Sequence, residues 1–102
     1  MAKVVVQLVA WNGAKYIPFL FDSLKKQTSR DWELLILDNN STDATAELIE
    51  KAIKEFPVPA ALIKGSENLG FAKGHNLLYK KTSASYVLLL NQDMYLGVDC
   101  VE

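Results

Sequence analysis

A single cysteine, Cys100, leaves no partner for a disulfide within the chain. The single histidine, His75, stands far from it in sequence, so the two make no zinc site. There is no basic block, and 11 basic against 12 acidic residues give a formal net charge of -1. Binding a phosphate backbone needs clustered Lys and Arg, so no nucleic acid partner is expected. No apolar run approaches the ~18 residues of a membrane span. The opening MAKVVVQLVAWNG is interrupted by Gln7 and followed by no small-residue cleavage site, so it reads as a strand and not a signal peptide. Internal repeats, low-complexity tracts and interdomain linkers are also lacking. One domain over 1–102 is expected, in the cytoplasm or peripheral at the inner face of the membrane.

What is present is apolar sequence in short pieces. Half of the 102 residues are hydrophobic, too many for a disordered chain and enough for a modest core. Apolar runs of strand length recur at 4–10, 33–37, 60–64 and 86–90. The first, second and fourth lack alternation, the pattern of strands covered on both faces in a parallel sheet. Helical spacing fills the gaps. Ile17, Leu20, Phe21 and Leu24 share one helix face, and Pro18 fits only a first turn, so that helix is expected to begin near Ala14 or Lys15. A second helix, 43–55, turns Ile49, Ala52, Ile53 and Phe56 inward, with Ser41, Thr42 and Asp43 as N-caps and Pro57 as its stop. A third, 71–81, is anchored by Phe71, Leu77 and Leu78 and weakened by Gly74. Strands alternating with helices predict an α/β fold with right-handed crossovers: a Rossmann-like, three-layer unit. It has a parallel sheet of about four strands in order 3-2-1-4 and helices on both faces.

In such sheets ligands bind at the carboxyl ends of the strands. After the first strand come Trp11 and Asn12. After the second comes Asp38-Asn39-Asn40-Ser41-Thr42-Asp43. Asn68-Leu69-Gly70 follows the third, leading to Lys73, His75 and Asn76, and Asn91-Gln92-Asp93 follows the fourth. Each has a plain reading. Asx-turns and helix caps account for Asn, Ser and Asp, and Ser41 to Asp43 fit that role best. Trp11 suits core packing as well as stacking on a base. Gly70 and Gly74 form neither a Walker loop nor GxGxxG. His75 suits a helix hydrogen bond, and Lys73 a solvated surface. Turns do not, however, require an aromatic at one strand end and single carboxylates at two others. Asp38 directly ends an apolar strand, where it can accept hydrogen bonds from a base or ribose. Asp93 is a single carboxylate just past the fourth strand, and one carboxylate together with substrate phosphates is a common way to hold Mg²⁺.

The segments VVVQLVAWNGAKYIPFLFDSLKKQT, WELLILDNNSTDATAELI, NLGFAKGHN and YVLLLNQDMYL span nearly the whole chain. In that order and spacing, the chain resembles the N-terminal half of family 2 glycosyltransferases, enzymes of the GT-A fold. The Asn-Leu-Gly-Phe and Leu-Asn-x-Asp variants look most like the rhamnosyltransferase-type branch, which builds polysaccharides. The resemblance implies a UDP- or dTDP-sugar donor, a glycan or lipid-linked acceptor, and transfer with inversion. It implies that Ala10, Trp11 and Asn12 lie against the base and ribose, that Asp38 bonds the base with Asn40 beside it, and that Asn68 and Gly70 open a loop near the nucleotide. His75 falls where many relatives have an arginine that contacts the base or diphosphate. Asn91-Gln92-Asp93 matches the Asp-x-Asp motif, with Asp93 as the carboxylate that binds Mg²⁺ or Mn²⁺ and Asn91 turned to ribose or donor sugar. Asn91 replaces the motif's first aspartate, and Gln92 stands where this branch often has proline.

Such enzymes continue well past this motif and carry the acceptor site and catalytic base there. Asp99 and Glu102 sit too near the terminus to serve. The chain is therefore expected to be a donor-binding fragment that transfers no sugar alone and associates with itself through the exposed edge of its fourth strand. A non-catalytic glycosyltransferase-like module is the alternative. A receiver domain needs clustered acids after the first strand, and a nucleotidyltransferase a Gly-rich basic loop there. Ala10-Trp11-Asn12 is neither.

Overall fold

The structure is a computed structural model, and it describes residues 4–27, 31–80, 86–90 and 92. The elements run β1 (Val4–Ala10), α1 (Ile17–Lys25), β2 (Trp32–Asp38), α2 (Thr45–Ile53), β3 (Ala60–Lys64), α3 (Gly70–Tyr79) and β4 (Tyr86–Leu90). All pairings are parallel and the strand order is β3-β2-β1-β4, as the alternating pattern predicts.

The two central strands explain the missing alternation. Val6, Leu8 and Ala10 of β1, with Trp32, Leu34 and Ile36 of β2, join Ile17, Leu20, Phe21, Leu24 and Ile49 in one buried cluster under α1 and α2. The intervening residues face α3, where Gly74 lies against Val9 and Leu37, and His75 against Gln7. Helices thus cover both faces, and period-2 polarity has no solvent face to mark. Each fully buried Leu or Ile contributes roughly 1.5–3 kcal/mol of transfer free energy. Phe56 closes the cluster edge-on to Phe21 and Trp32. Among the described residues β4 pairs with β1 alone, and Tyr86 and Leu89 on it are exposed.

Helix starts differ from expectation. The first helix begins at Ile17, two to three residues later than Ala14 or Lys15, because the amides of Tyr16 and Ile17 both donate to the Gly13 carbonyl and form a turn ahead of it. Pro18 does fall in the first turn. The second helix is capped at Ala44, without a side-chain cap bond, and not by Ser41, Thr42 or Asp43. Those three side chains have other partners. The third helix starts one residue early, at Gly70. Trp32 and Asp38 extend β2 by one residue at each end, in register with Val4 and Ala10.

Candidate nucleotide site at the strand ends

The loop after β1 is fixed by the loop after β2. Three successive backbone amides donate across it: Asn12 N to Ser41 Oγ (3.0 Å), Gly13 N to Thr45 Oγ1 (2.9 Å) and Ala14 N to Asp43 Oδ2 (3.3 Å). In return, the Asn12 side-chain oxygen accepts from the amide of Thr42 at 2.8 Å and from its hydroxyl at 3.3 Å. These bonds consume the amides that a phosphate-cradling loop would present, so residues 12–14 brace the site and are not its anion cradle. Asp43 also accepts from the amide and hydroxyl of Thr45, and these bonds hold its carboxyl below the usual carboxylate range. Asn12 and Asn40 adopt positive φ, 45° and 64°, a region in which Asn is enriched among non-glycine residues.

Asp38 sits at the centre. It is 5% exposed, and among the described residues its carboxylate is bonded only by Ser41, which donates to Oδ1. Its own carbonyl accepts from Gly65 N at 2.8 Å, which ties the end of β3 to the end of β2. Ser41 therefore bridges Asp38 to the Asn12 amide and joins the two strand ends.

Trp11 projects outward with 47% of its surface exposed, so it is not a core residue. Its backbone is held at both polar atoms. Trp11 N donates to Gln92 Oε1 at 2.9 Å, and Gln92 Nε2 donates to Trp11 O at 3.0 Å. The ends of β1, β2 and β4 thereby meet in one place.

Other expected positions lie differently. Ala10 is fully buried and its carbonyl accepts from Asn39 N at 2.7 Å, so it ends the strand inside the core and does not line a surface. His75 is buried on the sheet-facing side of α3, beside Gln7, a residue of mid-β1, and not at a strand end. With the Gln7 amide oriented to satisfy both sides, its nitrogen donates to His75 Nδ1 and to the His75 carbonyl, and its oxygen accepts from Tyr79 N. Burial pushes the imidazole pKa down, so His75 is a neutral packing group. Asn68 is exposed and accepts from Gly70 N at 2.8 Å, an Asx-turn that opens α3. Asn91 and Asp93 lie outside the described residues. Among the described residues no group of three His, Cys, Asp or Glu could hold a metal.

Asn39 is a residue that sequence reasoning passed over. It is buried, its Oδ1 accepts from Leu69 N (2.8 Å), and its Nδ2 donates to the Gly70 carbonyl (3.2 Å). It fastens the start of α3 to the end of β2. Its signal in the sequence was position, one step past an apolar strand, but a neighbouring Asn and Ser made it look like part of a turn.

This geometry has counterparts. The sequence profile of Glycosyl transferase family 2 matches residues 5–102. Chondroitin synthase of Pasteurella multocida is 34% identical over 99 residues, covering 97% of this chain and 10% of that protein. Teichoic acid poly(glycerol phosphate) polymerase of Staphylococcus epidermidis is 29% identical over 93 residues, covering 91% of this chain and 13% of that one. The crystal structure of Staphylococcus aureus TarS 1-349 in complex with UDP superposes with a TM-score of 0.88 at 27% identity, over 97% of this chain and 30% of that one. The chain thus spans under a third of each of these relatives. With the profile matching nearly its full length and the strand order and crossovers those of this fold, the chain belongs to glycosyl transferase family 2.

Proposed function

We propose that this chain is the donor-binding part of an inverting glycosyltransferase, one that moves a sugar from a nucleoside diphosphate to a glycan or lipid-linked acceptor. The observation that carries this is the exposed Trp11 ring standing on a backbone pinned at both polar atoms, one residue past Ala10, whose register partner on β2 is Asp38. An aromatic face next to an acceptor group suits a nucleobase, which offers a π-face and N–H donors. Asn12 and Asn40 stand at the same edge, and Asn68 and Gly70 flank it across Asn39. Ala10 supports it from inside. Uracil and thymine both carry the required N–H, and the UDP complex of TarS supports a uridine donor.

Asp93, the residue after Gln92, is the proposed oxygen ligand for Mg²⁺ or Mn²⁺, with Asn91 turned to ribose or donor sugar. A single carboxylate with substrate phosphates is a fitting donor set for either ion. When bound, such an ion supplies charge neutralisation at the departing diphosphate. In this reading the base that activates the acceptor hydroxyl lies outside the matched segment, and 1–102 alone binds nucleotide without transferring sugar. The acceptor class follows the relatives named above, a teichoic acid poly(glycerol phosphate) polymerase and a chondroitin synthase, and a rhamnosyltransferase-type role is held beside it. Cytoplasmic placement, or attachment at the inner face of the membrane, suits such chemistry.

The test is calorimetric titration with uridine and thymidine diphosphates, with and without Mn²⁺, on the wild-type chain and Asp93→Ala. Binding that strengthens with Mn²⁺ and loses that gain in the variant is expected. No binding of either nucleotide under any condition would overturn the reading.

A further inference from the structure

Gln92 occupies the middle of Asn91-Gln92-Asp93, where the resemblance assigns no role. Its side-chain amide does what a strand peptide would do. Among the described residues the β1–β4 ladder runs as far as the Leu8–Leu90 pair. Beyond that pair, the Gln92 amide takes both backbone groups of Trp11, accepting from N and donating to O. A primary amide carries an acceptor oxygen and donor N–H groups on one side chain, so it can meet both at once. Proline at this position could make neither bond.

The amide also needs space. A Cβ built on Gly13 would lie 2.3 Å from Gln92 Oε1 and 2.5 Å from Cδ. Gly13 is buried, with its own amide held by Thr45, so it cannot step aside. Glycine two residues past the tryptophan is therefore the seat for the Gln92 side chain.

We infer that Gln92 is a positioning residue for the base subsite: its side-chain amide, seated over Gly13, takes both backbone groups of Trp11 and holds in place the backbone from which the Trp11 ring projects to stack on a nucleobase. The inference rests on the reading of Trp11 as the stacking face.

The test uses a Trp32→Phe background, so that emission reports Trp11 alone. Gln92→Met keeps the length and removes the amide, while Gly13→Ala keeps the amide and displaces it. In both variants the anisotropy of Trp11 emission in the free protein is expected to fall and iodide quenching to rise, with the thermal transition still cooperative. Affinity for uridine diphosphate is expected to fall roughly 5- to 30-fold, the factor that follows from losing one or two kcal/mol. Unchanged Trp11 emission in both variants would overturn the inference, whatever their melting temperatures. If the wild-type chain binds no uridine diphosphate, the proposed function fails, and the Trp11 emission of the free protein still decides the positioning role.

Discussion

Replacing Gly13 by alanine should destabilise the chain, and removing Gln92 should abolish that effect. The added methyl would stand 2.3 Å from Gln92 Oε1, far inside contact distance, while the backbone at Gly13 lies outside the left-handed region that favours glycine. Alanine is therefore acceptable in conformation and excluded only by its neighbour. Something must shift, and the flexible end of Gln92 is the part that can. Its two bonds to Trp11, at 2.9 and 3.0 Å, would be lost together. Each neutral hydrogen bond contributes about 0.5–1.5 kcal/mol net. Both here are exposed, and water can replace them, so the lower half of the range applies: about 1–2 kcal/mol for the pair. At this chain length that corresponds to a fall of roughly 4–16 °C in melting temperature. Gln92→Ala alone should cost a similar amount, and Gly13→Ala added to it almost nothing, leaving a coupling energy of about 1 kcal/mol. Urea unfolding of the four proteins measures it. Strict additivity would refute the reasoning, because it would mean that Gln92 is not seated over Gly13.

The remaining predictions concern the supports of the site. Ser41→Ala removes the acceptor of the Asn12 amide and the donor to Asp38 at once, and should cost about 1–3 kcal/mol by urea unfolding. Gly74→Ala gains about 1 kcal/mol of helix propensity but sets a methyl 3.0–3.2 Å from Val9 and Leu37 carbons; overpacking of about 1–3 kcal/mol should outweigh the gain, and Val9→Ala should restore it. His75 has its folded pKa pushed below the usual 6.5, so the unfolded chain binds the proton more readily. Stability should therefore be full above pH 6.5 and fall as pH drops from there through the folded pKa, and His75→Gln should flatten that slope in urea midpoints taken from pH 8 to 5. The exposed Tyr86 and Leu89 on β4 predict self-association; light scattering should give a mass above one chain, lowered by Leu89→Lys, and a clean monomer at high concentration would refute it.

The sheet was legible because its signal is local. A central parallel strand must be apolar on both faces, and Val4 to Ala10 and Leu34 to Leu37 show that without reference to anything distant. Strand order then followed from the fold rule. The start of the second helix was not legible, because Ser41 and Asp43, which local rules assign to capping, are recruited with Thr45 by the amides of Asn12, Ala14 and Gly13, 29 to 32 residues away. For the same reason His75 looked like a ligand contact by alignment with an arginine, while Gln7, the residue that buries it, sits 68 positions upstream. Gln92 looked like a mere substitution. Only its distance from Trp11 and Gly13 gives it a task.

The central claim is that the carboxyl ends of β1 and β2 form the nucleotide site. Amide and indole shift mapping on titration with uridine diphosphate tests it most directly. The account predicts that the Trp11 indole and the amides of Asn12, Asn39 and Asn40 move together, while Val5, Glu33 and Ala60 at the opposite end of the sheet stay still. Shifts confined to that opposite end, or spread evenly over the chain, would contradict it.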